Sequence, residues 1–123
     1  MTKKLLFVAP LLMLSFYGTS RLTAQPSCAP IDTPPVCQNT NQININNNAN
    51  SMGPPHICVD PGETITVNVS PNGSTASVMG KDGGWPNGSG AGFTITAPDS
   101  GTYEYNVIFS DGTCVDPRIT VGG

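Results

Sequence analysis

Four cysteines, one histidine and one tryptophan are the side chains of this chain whose types could support specific chemistry. Cys28, Cys37, Cys58 and Cys114 could form disulfides or ligate a soft metal, and His56 could act as a base or a ligand. No two cysteines have the two-to-four-residue spacing of a structural zinc site. The even number of cysteines therefore favours two disulfides over a metal site.

Four cysteines allow three pairings, and we expect Cys28–Cys37 together with Cys58–Cys114. The first bond would close a short loop in a segment with little other structure. The second would tie an early strand to the last one and stabilise the fold by about 4 kcal/mol in the chain-entropy model.

His56 has no recognisable partner for general-base or nucleophilic catalysis, so it is expected to be a strand-edge residue and the protein is expected not to be an enzyme. Met79 joins His56 as a weak candidate metal ligand, although a core position is expected for a methionine here. Most acidic residues lie in turn sequences, which explains them without function. A calcium site from Asp60, Asp111 and Asp116 would require that their turns cluster.

Trp85 lies in a glycine-rich segment, residues 83–88 (GGWPNG). An aromatic side chain on an exposed loop often anchors a partner, which makes Trp85 a candidate partner-binding residue. The interpretation that we favour is that Trp85 folds back over one end of the fold, because a side chain of this size is usually buried.

The first residues have the layout of a secretory signal peptide, residues 1–24. Two lysines precede an apolar run, residues 5–16, and small residues follow it up to Ala24. The apolar run is shorter than the roughly 20 residues of a membrane span, so we expect cleavage rather than anchoring. We therefore expect a periplasmic or secreted protein with no membrane segment after signal removal.

Removal of the signal peptide leaves a small acidic domain. Lys81 and Arg118 are then the only basic residues against eight acidic ones, which gives a net charge of −6. So few cations cannot neutralise phosphates, which excludes nucleic acid as a partner. The remaining chain of about 100 residues forms one domain, whose small core would gain from crosslinks.

Short strands are the elements that must position these side chains. Residues 63–69 (ETITVNV) and 103–107 (YEYNV) alternate between apolar and polar, the period of a half-buried strand. Turn sequences separate further predicted strands at residues 56–59, 75–79, 93–97 and 114–121. About seven strands without helical periodicity predict an all-β fold, a Greek-key antiparallel β-sandwich.

Two other segments are predicted to be mostly irregular. Residues 25–55 are rich in Pro and Asn and are expected to be a polar arm with one short edge strand at Ile43 and Ile45, followed by a loop. Residues 80–92 contain six glycines and are expected to be a loop. Residues 56–123 then make up the sandwich core.

Three motifs resemble the cupredoxin family. Residues 60–65 (DPGETI) are similar to the strand that opens the family's core, and residues 101–105 (GTYEY) are similar to the strand that leads into its copper-binding loop. The ending, residues 116–121 (DPRITV), resembles the tails of small exported cupredoxin-like domains of bacteria. The resemblance covers roughly residues 56–121 and implies a cupredoxin-like sandwich.

The same resemblance implies where copper ligands would stand. The family's cysteine follows the second tyrosine by two residues, and its second histidine comes a few residues later. Here those positions hold Val107 and Gly112, and neither can ligate. A blue-copper site needs a thiolate and two imidazoles, so we expect a cupredoxin-like domain without type 1 copper and without any other cofactor.

The expected function is a non-catalytic binding or structural role in the cell envelope or outside the cell. Its partner would be an unidentified protein or polymer there, and the sequence sets no oligomeric state. An immunoglobulin-like module that binds a surface polymer or a partner protein is the alternative. A copper carrier using His56 and methionines is a weaker alternative, because only Met52 and Met79 remain after signal removal.

Overall fold

The computed structural model describes residues 28–122, and the predicted signal peptide lies outside them. The described chain is built from strands: β1 (Gln38–Asn39), β2 (Gln42–Asn46), β3 (Ser51–Gly53), β4 (His56–Val59), β5 (Thr64–Ser70), β6 (Ala76–Gly80), β7 (Asn87–Gly90), β8 (Phe93–Thr96), β9 (Gly101–Ile108), β10 (Cys114–Val115) and β11 (Arg118–Val121). Between residues 28 and 122 there is no helix with the length and apolar character needed to span a membrane. The all-β prediction is confirmed.

The strands form two sheets. The larger has seven strands in the order β1-β4-β11-β9-β6-β7, with β10 paired to β9 beside this path, and the smaller has four in the order β3-β2-β5-β8. The pairs β1–β4, β4–β11 and β2–β5 are parallel, so the sheets are mixed rather than purely antiparallel as predicted. Alternation along a strand predicts its buried side but not the direction of its neighbour.

One hydrophobic core joins the two sheets. The inward residues of β2, β5 and β8 belong to the same cluster as those of β4, β6, β9 and β11. Each such apolar side chain contributes about 1.5–3 kcal/mol when fully buried. Tyr105 of β9 is fully buried, its hydroxyl has no hydrogen-bond partner within residues 28–122, and burial raises the pKa of its phenol.

Strand β2 is an interior strand of the smaller sheet, which corrects the prediction of an edge strand in a polar arm. It lies between β3 and β5, and its Ile43 and Ile45 are 0% and 1% exposed. These isoleucines stand beside Val67 and Val69 of β5 in the parallel register. The sandwich core therefore begins well before His56.

The glycine-rich segment predicted to be a loop contains strand β7. This strand pairs antiparallel with β6 and forms an edge of the larger sheet. Glycine is intrinsically disfavoured in strands, so the local sequence did not predict β7. A close contact explains the glycine at position 88, because a Cβ on Gly88 would lie 2.9 Å from the ring of Phe93.

Candidate functional site

The loop where the resemblance places copper is a hairpin turn, residues 109–113, between β9 and β10. Val107, at the position of the family's cysteine, is fully buried in the core. Gly112, at the position of the family's second histidine, lies in the turn with a φ of 91° and donates its N–H to the carbonyl of Phe109 at 2.9 Å. Neither position offers a metal donor.

The asparagine-rich turn after β2 lies against this hairpin. The side-chain nitrogen of Asn47 donates to the hydroxyl of Ser74 at 2.9 Å and to the carbonyl of Thr75 at 3.1 Å. The side-chain oxygen of Asn47 accepts from the backbone N–H of Ser110 at 3.0 Å. Asn47 therefore connects the loops that follow β2, β5 and β9 at one end of the sandwich.

Asp111 is fixed in the same hairpin. Its Oδ1 accepts from the hydroxyl of Thr113 at 2.6 Å and from the N–H of Thr113 at 3.0 Å, and its Oδ2 accepts from Asn50 Nδ2 at 2.9 Å. These bonds, with the Thr113 hydroxyl first, hold the pKa of the Asp111 carboxyl below its usual value. Amide, hydroxyl and carboxylate groups thus occupy the end of the sandwich at which copper would stand.

All four cysteines form disulfides, but the predicted pairs are wrong. Cys28 bonds Cys114 and Cys37 bonds Cys58, with Cα–Cα distances of 4.7 and 5.3 Å. The predicted bonds were Cys28–Cys37 and Cys58–Cys114.

Strand pairing brings each observed pair together. Strand β1 pairs in parallel with β4, with Cys58 in the register, so the preceding Cys37 is within reach of it. The residue after Cys28 donates its N–H to the carbonyl of Cys114 at 2.9 Å, which sets Cys28 beside β10. The predicted Cys28–Cys37 pair was based on its short sequence separation. Sequence separation does not show which strands are neighbours in the fold, so the prediction failed.

His56, the single histidine, is an internal hydrogen-bonding residue of β4 and is 5% exposed. Its Nδ1 lies 2.7 Å from the carbonyl oxygen of Pro34, which only accepts, so Nδ1 carries the proton and donates it. Its Nε2 lies 2.8 Å from the hydroxyl oxygen of Thr120, within hydrogen-bond distance. Both ring nitrogens are engaged within the fold, which leaves neither for a metal ion or for base catalysis.

Met79 is a surface residue, which corrects the expectation of a core position. It is 45% exposed on β6 and lies opposite Asn87 of β7 and Asn106 of β9. Strands β9 and β11 separate β6 from β4, so Met79 and His56 stand at least about 14 Å apart across the sheet. The fold does not bring the two candidate copper ligands together.

Trp85 is half-buried and packs against the core. Its ring meets that of Tyr103 edge-on, with a centroid distance of 5.1 Å and an interplanar angle of 79°. Tyr103 donates its hydroxyl to the carbonyl of Asp99 at 2.9 Å, which fixes the second ring. This arrangement favours a cover over one end of the core rather than an exposed anchor for a partner.

The acidic residues are dispersed. Asp60 follows β4, Asp111 lies in the β9–β10 hairpin, and Asp116 accepts from the Lys81 ammonium at 3.1 Å. Over the described range, 28–122, no three or more His, Cys, Asp or Glu side chains come close enough to hold one metal ion. The calcium site considered for these three aspartates is therefore not formed.

An exposed ion-pair cluster lies on the outer side of the larger sheet. Glu104 lies 3.8 Å from the Lys81 ammonium and 3.4 Å from the Arg118 guanidinium, and Lys81 also reaches Asp116. Exposed pairs of this kind contribute at most about 1 kcal/mol each. The cluster leaves the rest of the described surface with an excess of carboxylates.

The outer side of the four-stranded sheet carries amide and hydroxyl groups and no charge. The buried positions of β2 and β5 are Ile and Val, so the alternate, polar positions of these strands point outward. Polar residues are also neighbours across the strands, with Asn44 opposite Asn68 and Thr64 opposite Thr96. We call this surface the amide–hydroxyl face, and it consists of Gln42, Asn44, Thr64, Thr66, Asn68, Thr94 and Thr96.

Hydrogen bonds fix the amides of the amide–hydroxyl face. Asn68 Nδ2 donates to Gln42 Oε1 at 3.0 Å and to Asn44 Oδ1 at 3.1 Å. Thr64 and Thr96 are exposed, so their hydroxyls face solvent. This surface was not predicted from the sequence, and the repeated Thr-Ile-Thr at 64–66 and 94–96 is the signal that could have found it.

An open polar pocket of about 360 Å³ lies between the ends of β1 and β4 in the larger sheet and the starts of β2 and β5 in the smaller one. Its lining includes the amides of Asn39 and Asn41 and the carboxylates of Asp60 and Glu63. Asn41 immediately precedes β2 and Glu63 immediately precedes β5, and Asn41 Nδ2 donates to the carbonyl of Thr64 at 3.2 Å. The pocket therefore lies beside one end of the amide–hydroxyl face, because Gln42 and Thr64 directly follow the lining residues Asn41 and Glu63 in the chain.

Solved structures similar to this chain include the following two, whereas no family model and no curated protein matches it. A purple cupredoxin from Nitrosopumilus maritimus is 19% identical over 66% of this chain and 98% of its own, with a TM-score of 0.49. A reduced Cu(I) form of a mutant amicyanin is 16% identical over 71% of this chain and 86% of its own, with a TM-score of 0.44. The first is named as a cupredoxin, the family whose motifs the sequence resembles, and no activity is inferred from either structure.

The donor set of this chain does not fit the copper centre that the resemblance implies. A type 1 site takes a thiolate and two imidazoles. The chain has one histidine, whose two nitrogens are engaged, and its four cysteines are in disulfides. The domain therefore lacks the type 1 ligands.

Proposed function

We propose that the protein is an exported, non-catalytic β-sandwich domain that binds a molecule of the cell envelope or of the extracellular medium. The layout of residues 1–24 supports export. The two disulfides support an oxidising compartment, where such bonds persist.

The observation that carries this proposal is that the reactive side chains are used inside the fold. The cysteines are paired, and His56 is buried between Pro34 and Thr120. Hydrolysis through a covalent intermediate needs a nucleophile beside a base, and copper chemistry needs free sulfur or imidazole donors. The surface offers hydrogen-bonding groups instead, which suits binding.

Affinity capture from the native envelope fraction and culture medium tests the proposal. The immobilised folded protein should retain a component that protein unfolded by reduction of its disulfides does not retain. A Trp85→Ala variant run in parallel shows whether the tryptophan takes part. Identical material on the folded and unfolded protein would overturn the proposal.

The copper carrier has a separate test. Titration with Cu(I) and Cu(II), under reducing and non-reducing conditions, should show no stoichiometric site, because His56 is engaged at both nitrogens. A stoichiometric site that disappears in His56→Gln would replace the binding proposal with a carrier. An intense thiolate-to-copper absorption band would contradict the absence of type 1 copper.

A further inference from the structure

We propose that the amide–hydroxyl face and the pocket at its end form a binding site for a neutral polysaccharide. This inference rests on the binding role proposed above and names its surface and its ligand. Three properties of the face support it: the absence of charge, the absence of apolar side chains, and the hydrogen-bonding groups that it exposes.

The face is uncharged in a domain that is otherwise acidic. None of its side chains ionises, whereas all eight carboxylates of the chain lie outside it. Nucleic acid requires cations that neutralise phosphates, and the face has none. Asn68, on the central strand β5, donates to the uncharged side chains of Gln42 and Asn44, so the complementary ligand is neutral.

The face also lacks apolar and aromatic side chains. Protein partners are held by a buried apolar patch with aromatic or arginine anchors. The half-buried aromatic pair of this domain, Trp85 and Tyr103, is carried by the larger sheet and not by this face. A surface of amides and threonines gives a protein partner little apolar area to bury.

Sugar hydroxyls match this surface group by group. Each hydroxyl both donates and accepts, as threonine hydroxyls and side-chain amides together do. Strand spacing makes the face formed by β2, β5 and β8 about 10 Å wide and about 20 Å long, which accommodates several sugar rings. Because Asn68 already holds Gln42 and Asn44 in place, binding orders few additional side chains.

The pocket supplies the stronger acceptors. Carboxylates form shorter and stronger hydrogen bonds to hydroxyls than neutral groups do, and Asp60 and Glu63 both line the pocket. Glu63 Oε1 accepts from the backbone N–H of Asp60 at 2.9 Å, which orients the Glu63 carboxylate. One ring of a sugar chain seated here would continue onto the face at Thr64.

The face has no aromatic side chain on which a sugar ring could stack. Its affinity for a polysaccharide should therefore increase with the length of the sugar chain. Each hydrogen bond to a sugar replaces one to water, so its net contribution is small. Affinity must then accumulate over many rings and contacts. Long polymers should be retained where short oligosaccharides bind weakly.

Retention of the purified protein on insoluble cellulose, chitin and starch tests the inference. We expect at least one of these neutral polymers to retain it. Asn68→Asp removes the amide that donates to Gln42 and Asn44, so the face loses its fixed arrangement and the retained fraction should fall at least about fivefold. Asn87→Asp makes the same change on the exposed side of β7 in the other sheet and should be retained like the unaltered protein.

A second matched pair applies if Asn68→Asp does not fold. Thr94→Val keeps the shape of an exposed strand residue and removes its hydroxyl, and Thr102→Val does the same on β9. Retention should fall in Thr94→Val and stay unchanged in Thr102→Val.

Three results would overturn the inference: no retention on any of the three polymers, equal losses in face and control variants, or retention only on charged alginate or chitosan. If an envelope component is nevertheless captured by the folded protein, the broader binding proposal stands and only its polysaccharide form fails. If both experiments are negative, the proposed function fails as well.

Discussion

At the scale of single residues, Asn47 shows how one polar side chain orders an irregular region. Its amide satisfies the backbone N–H of Ser110 and donates to two groups of the loop after β5. An asparagine run is typical of a solvated loop. Only the folded arrangement of three loops reveals that this particular asparagine connects them.

Asn47→Ala should lower the free energy of unfolding by about 1–2 kcal/mol, because the N–H of Ser110 loses its acceptor. Urea denaturation measures the change. Asn48→Ala, at the exposed neighbouring position, is the control and should change the free energy by less than about 0.5 kcal/mol. Equal effects of the two substitutions would contradict the bridging role of Asn47.

Residue identity alone was enough to predict that copper ligands are missing. It was not enough to predict whether a side chain faces the core or the solvent. Val107 and Gly112 cannot ligate wherever they stand, so their identity was sufficient. Val78 and Met79 are adjacent apolar residues, and alternation cannot decide which of the two points inward. The fold buries Val78 and exposes Met79.

At the scale of elements, clear alternation predicted the strands that the structure contains. Strands β5, β8 and β9 lie where apolar and polar residues alternate. The interior position of β2 and the existence of β7 were not predictable, because both depend on distant partners. Strand β2 gains its position from β5, and β7 gains its position from β6 and from the ring of Phe93.

The side chain of Trp85, in the loop between β6 and β7, is expected to contribute to the stability of the domain. Trp85→Ala should destabilise the domain by about 2 kcal/mol, less than a fully buried aromatic, since Trp85 is half-buried. Thermal unfolding should show a fall in Tm on the order of 10 °C for a domain of this size.

Met79→Ala is the control for this substitution, because it also removes a large side chain but from an exposed site. Its Tm should remain close to that of the unaltered protein. A Trp85→Ala domain with an unchanged Tm would instead indicate that Trp85 is an exposed anchor.

At the scale of the whole molecule, the two disulfides fasten the N-terminal segment of the described chain to the larger sheet. Cys28 is joined to β10 and Cys37 to β4. The sequence predicted that all four cysteines pair but not which pairs form, because the pairing follows from strand neighbours far apart in the chain.

Removal of each disulfide should destabilise the domain in proportion to the logarithm of its loop length. For sequence separations of 86 and 21, the chain-entropy model gives losses of about 4.6 kcal/mol without Cys28–Cys114 and about 3.3 kcal/mol without Cys37–Cys58. Guanidinium denaturation of the two paired Cys→Ser variants measures these losses.

Mass spectrometry of peptides from the unreduced protein identifies the bonds independently. Peptides joined through Cys28 and Cys114 are expected. Peptides joined through Cys28 and Cys37 would contradict the observed connectivity.

The bond between Cys28 and Cys114 also determines how the domain responds to tension. Load applied at Cys28 and at Gly122 passes through the crosslink and bypasses the chain between the two cysteines. Only residues 115–122 can then be drawn out, an extension of at most about 28 Å, whereas the same span without the crosslink could lengthen to about 300 Å. Between these two points the crosslinked domain is therefore nearly inextensible.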